Sequence, residues 1–166
     1  MRSLEEIQVA VSPSISPDQL FSFYERNDVC EKGYGKEVAA RVLHNSSLIV
    51  AAFDDDRLIG IARAMFDGLH AQIVEFCLEL EYQGEDLVYN NGSLIESDRV
   101  GLGKKIGNVL INELRTMGAY FISTVALEGV EEQFYQSLGF RLNSGSLDYV
   151  IDKRPYVQAD SGGCRE

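Results

Sequence analysis

The chain has 166 residues, 26 acidic against 15 basic side chains, and a formal net charge of −11. That length suits one domain with a sound core, and its ordinary apolar share excludes disordered and fibrous classes. An acidic chain lacks the basic face that a phosphate backbone needs, so nucleic acid is not an expected partner. A cationic small molecule or basic peptide suits the charge, and so does an acidic protein with no charged partner.

No apolar run reaches the roughly 18 residues of a membrane span, and the N-terminus lacks a signal peptide's apolar stretch. A cytoplasmic location with no membrane partner is therefore expected. Cys30, Cys77 and Cys164 are far apart and form no CxxC pair, and His44 and His70 are the two histidines. Neither a disulfide framework nor a metal site is expected.

In chain order, residues 7–11 alternate like a short strand. Ser16-Pro17-Asp18-Gln19 then opens a helix, with Ser16 as N-cap, Pro17 in the first turn and Gln19 completing a capping box. A second helix is predicted over 36–44. Residues 47–53 and 58–66 read as strands around an Asp54-Asp55-Asp56-Arg57 turn. A third strand runs over 71–80, with Ile73, Glu75, Cys77 and Glu79 on one face and Val74, Phe76, Leu78 and Leu80 on the other.

Residues 85–100 read as a small hairpin-like flap around Asn90-Asn91-Gly92. A long helix follows Gly101-Leu102-Gly103, with Leu102, Ile106, Val109, Leu110, Leu114 and Met117 at helical spacing and Gly118 as the stop. A strand over 120–127, a short helix marked by Val130, Phe134 and Leu138, and two antiparallel strands over 140–142 and 147–151 complete the chain. The result is an α+β layout with one mixed, mostly antiparallel sheet flanked by helices. A single domain spans 1–158, with the insertion at 85–100, and 159–166 form a flexible tail.

Gly101-Leu102-Gly103-Lys104-Lys105 at a helix start is suited to anions. Free amides, the helix dipole and two lysines converge there, and glycine admits close approach. A tight turn with a solvated lysine pair accounts for the same residues. The spacing matches neither a Walker A motif nor a dinucleotide fingerprint.

Phe134-Tyr135-Gln136-Ser137-Leu138-Gly139-Phe140 resembles the C-terminal FYxxLGF motif of the GNAT acyltransferase superfamily. The upstream pieces agree in order. Leu58-Ile59-Gly60-Ile61-Ala62-Arg63 resembles that superfamily's LVGxAR strand. Glu81-Tyr82-Gln83-Gly84 is similar to the start of its coenzyme loop, and Gly101-Leu102-Gly103 to the end. Here the 85–100 segment separates the two halves of that loop, and Glu128 stands where the family often has asparagine.

The resemblance implies a sheet splayed between its fourth and fifth strands and acetyl-CoA as co-substrate. The coenzyme's pantetheine arm would lie on the backbone of Leu78, Glu79 and Leu80. Its pyrophosphate would sit at Gln83, Gly84, Gly101, Leu102, Gly103, Lys104 and Lys105. The activity implied is N-acetyl transfer to a primary amine, of a small molecule in preference to a protein or peptide; a non-catalytic acyl-CoA sensor is the alternative, and the resemblance allows a homodimer. Tyr135 is the expected general acid, because a phenol is protonated at neutral pH and can give its proton to a departing thiolate. A core aromatic is the other reading of Tyr135. Glu75 is the expected base, unless it and Glu79 simply line a solvated face or bind the substrate cation. Cys77 reads as a buried small apolar residue.

Overall fold

The computed structural model describes residues 3–29 and 35–151. The predicted tail at 159–166, and Cys30 and Cys164, lie outside the described residues. Five strands form one sheet in the order β1 (Gln8–Val11), β2 (Leu48–Asp54), β3 (Arg57–Phe66), β4 (His70–Leu78) and β5 (Phe121–Thr124). The first three pairings are antiparallel and β4–β5 is parallel.

Helices α1 (Pro17–Arg26) and α2 (Lys36–Asn45) serve one face, packing Leu20, Phe23, Tyr24 and Ala39 on Ile49, Ala51, Ile61 and Cys77. Helix α4 (Leu102–Thr116), with the short α5 (Glu132–Ser137), covers the other through Leu102, Ile106, Leu110, Leu114, Phe134 and Leu138. This double burial explains why β2 reads Leu-Ile-Val-Ala-Ala without polar alternation.

Local chemistry sets the ends. The Ser16 hydroxyl accepts from the Gln19 amide at 3.1 Å, which caps α1. The Gln19 side-chain N–H donates to the Asp56 carbonyl at 2.8 Å, and among the described residues the cap of α1 is the Ser16 bond, without the return bond of a capping box. Asp55, at φ 52°, turns the chain between β2 and β3. Helix α5 packs closely on α4 across two glycines. A Cβ at Gly103 would lie 2.9 Å from Phe134 Cε2, and one at Gly107 2.6 Å from Leu138 Cδ1.

Three expectations are corrected. Residues 140–142 and 147–151 form no strands, and Leu142, Leu147, Tyr149, Val150 and Ile151 are exposed. Among the described residues no neighbouring strand turns their alternation into a ladder. Residues 85–100 form no hairpin: the segment is an irregular strap, preceded by the one-turn α3 (Leu80–Gln83). Lastly, Ile73 does not share a face with Glu75. In the β3–β4 register Arg63 opposes Glu75 and Ala64 opposes Ile73, so Val74 is an extra, bulged residue. Ile73 packs with Phe76 and Leu78 toward α4, whereas Glu75, Cys77 and Glu79 face α1.

Candidate active site

The pairing of β4 with β5 ends at Ile73 and Thr124. Beyond that point the strands part, and among the described residues no strand lies beside the edge of β4 from Val74 to Leu78. The Tyr135 ring is buried in the core, edge-on to Phe134 and Phe140. The Thr124 side chain, at this fork, is near enough to act on the Tyr135 phenol. Burial, and then the charge of Glu131, push the Tyr135 phenol up, against the pull of Thr124, so it is protonated at neutral pH. Tyr135 is thus a core aromatic whose polar end reaches the fork.

Glu75 follows the bulge. It makes a buried ion pair with Arg63 Nε, with side chains 9% and 12% exposed. Cys77 Sγ donates to its other oxygen at 3.3 Å. Arg63 also donates to the Ser46 hydroxyl at 2.9 Å. Burial, followed by the Glu75 charge, pushes both the Tyr24 phenol and the Cys77 thiol up. Cys77 is buried, as its apolar reading implied.

The expected coenzyme residues cluster at the open end of β4 and the start of α4, where several of their polar groups already have partners. The Leu78 amide donates to the Gly92 carbonyl at 2.9 Å and the Glu79 amide to the Ile59 carbonyl at 2.9 Å. The Leu80 amide donates to Asn27 Oδ1 at 3.0 Å. The Glu79 carboxylate is buried beneath two guanidiniums, receiving Arg26 at 3.2 and 3.1 Å and Arg57 at 2.5 Å.

Gln83 is buried. It donates to the Leu78 carbonyl at 3.3 Å and accepts from the Glu96 amide at 3.0 Å. Gly84, at φ 131°, turns the chain from α3 into the strap. Gly101, at φ 78°, turns it from the strap into α4. Leu102 is buried in the core. The amides of Gly103 and Lys104 both donate to the Asp98 carboxylate at 2.8 Å. The Lys105 ammonium is turned away, onto the carbonyls of Leu4 and Ile7 at 3.0 Å each.

Four residues outside the expected set therefore fasten the strap: Asn27, Gly92, Asp98 and Glu131. The Gly92 amide donates to the Asn27 carbonyl at 2.7 Å. Glu131, itself buried, accepts from the amides of Ile95 and Leu127 at 3.0 Å each. Asp98 had a local signal, since an acid shortly before a helix start is a recognised cap. The other three are tertiary contacts, and nothing local announces them.

No family model and no curated protein sequence matches this chain. Solved structures do. A GNAT family acetyltransferase from Streptococcus pneumoniae superposes with a TM-score of 0.63 at 19% identity, over 89% of this chain and 98% of that one. An acetyltransferase from Trypanosoma brucei gives 0.62 at 18%, over 87% and 99%. Glucosamine-6-phosphate N-acetyltransferase from Arabidopsis thaliana gives 0.61 at 13%, over 87% and 99%. At these identities the likeness establishes the fold, and this chain has the GNAT fold.

Proposed function

We propose that this chain is an N-acyltransferase that moves an acetyl group from acetyl-CoA to the primary amine of a small molecule. The observation that carries the reading is the fork itself. Two strands of a GNAT fold part at Ile73 and Thr124, and a protonated, buried phenol stands at the opening.

An extended ligand can hydrogen-bond to the free edge of β4 once Gly92 is displaced, and a phosphate can take the amides at the start of α4 once Asp98 is displaced. Such a ligand would run toward the fork. There the neutral amine attacks the thioester carbonyl, the C–N bond forms and the C–S bond breaks. Tyr135 gives its proton to the leaving sulfur and regains one from the nitrogen.

Glu75 is the carboxylate of the acceptor side. Its carboxylate, paired with Arg63, can accept a hydrogen bond from the approaching amine, and solvent takes up the ammonium proton before attack. Much of the rate gain would come from holding amine and thioester together. The test is turnover of acetyl-CoA with a panel of amines. Tyr135→Phe should keep coenzyme binding and lower kcat by about 10²–10⁴-fold. An unchanged kcat removes Tyr135 from the chemistry.

A second reading is favoured by Asp98 on α4: a non-catalytic module of the same fold. It predicts no turnover with any amine, whether of a small molecule or a peptide.

A further inference from the structure

The strap touches the reading above at its two most important points. The GNAT fold leaves one edge of β4 open, and the Leu78 amide on that edge is taken by the carbonyl of Gly92. The start of α4 is an anion site by its dipole and free amides. Here the anion is the chain's own Asp98 carboxylate, equidistant from two amides.

Between these contacts Ile95 is buried and its amide donates to Glu131 at the start of α5, so the strap is fastened along its length as well. The strap is also braced internally: the Glu96 carboxylate accepts from the amides of Val88, Tyr89 and Asn90 at 2.7, 2.9 and 3.2 Å. The fit at Gly92 is close. A Cβ there would lie 2.7 Å from Asn27 Cβ and 3.0 Å from the Leu78 carbonyl oxygen.

We propose that residues 85–98 are an intramolecular plug, which occupies the seat of the coenzyme with a backbone carbonyl on Leu78 and a carboxylate on α4. This rests on the acyl-CoA reading and adds regulation to it: the coenzyme binds only as the strap leaves, and strap stability sets its affinity. An extended thioester arm and a pyrophosphate offer the same two kinds of acceptor that Gly92 and Asp98 offer.

The experiment is calorimetric titration of CoA into the full chain, into Asp98→Ala and into Gly92→Val, with hydrogen exchange of the wild-type protein with and without CoA. Asp98→Ala removes the carboxylate from α4, and Gly92→Val forces the strap off Leu78. Far-UV circular dichroism checks that both variants are folded. The expected result is CoA binding about tenfold tighter in Asp98→Ala, the scale of one lost cap. Gly92→Val should shift the same way, and CoA should strip protection from the wild-type Gly92 and Ile95 amides. Equal affinity in all three proteins, with those amides still protected, overturns the plug and leaves the coenzyme reading standing. No CoA binding by any of the three overturns the coenzyme reading, and the plug with it.

Discussion

Arg63→Met separates the energetics of the buried ion pair from the packing around it. Arg63 and Glu75 face each other across β3 and β4, both nearly enclosed. Removing the guanidinium leaves a nearly enclosed carboxylate that keeps its bond from the Cys77 thiol, with the Tyr24 phenol nearby. Loss of one partner from a buried pair costs about 3–5 kcal/mol. For a chain of this size that is a fall in Tm of about 6–20 °C. The chain has no tryptophan, so urea and thermal unfolding are followed by far-UV circular dichroism.

The double variant Arg63→Met/Glu75→Gln supplies the decisive comparison. It keeps an acceptor for Cys77 and Tyr24 and removes the charge. It should therefore recover about 2 kcal/mol or more of the loss, a coupling expected of contacting residues. A single variant that loses under about 1 kcal/mol would refute the claim that the pair is desolvated. A double variant less stable than the single would show that packing, not charge, sets the cost.

Alkaline pH should weaken the fold. Tyr24, Tyr135 and Cys77 are all held above their ordinary values by burial, so the native state keeps protons that the unfolded chain gives up. Their stabilisation is complete below the unfolded thiol and phenol values, about 8.5 and 10, and is lost as the pH rises beyond them. Urea midpoints should fall above about pH 9, less steeply in Tyr24→Phe, and a flat profile to about pH 11 would contradict this. Gly107→Ala tests the α4–α5 contact. A better helix former is worth about 1 kcal/mol, but contact with Leu138 at 2.6 Å and 2.8 Å opposes it. Overpacking costs about 1–3 kcal/mol, so a modest net loss is expected in urea unfolding. A gain would show that α5 can back away.

What the sequence made legible was governed by neighbours in the chain. Ser16 caps α1 within three residues, and the leucines and isoleucine of α4 repeat on one helical face. The short spacing of β2 and β3 around Asp55 likewise predicts their hairpin. The miscalled parts depend on distant partners. Asn90-Asn91-Gly92 is a good turn, yet Gly92 is held by Asn27 and Leu78 and makes no hairpin. The alternating residues at 147–151 found no ladder. At the site, Tyr135 is marked by the FYxxLGF resemblance and Glu75 by a carboxylate's fitness for the chemistry. The carboxylate's bond to Arg63 follows from the β3–β4 register and the phenol's place near Thr124 from tertiary packing, neither of which single residues display. Asp98 is the local exception: a carboxylate shortly before a helix start suits that helix's first free amides.

Val74 has a consequence for how fold and cleft are specified. A strand of strict alternation from Ile73 to Leu78 would carry Glu75 into the leucines of α4. The bulge absorbs one residue, so that Phe76 and Leu78 return to the α4 side while Glu75 stays with α1. A chain without Val74 would keep every later side chain on its present face, since the deletion only restores regular pairing. It would lose the bend that a bulge puts into a strand, next to the last residues that β4 and β5 share. The core and the opening thus have separate determinants within one strand: side-chain identity builds the first, and a single surplus residue helps to build the second.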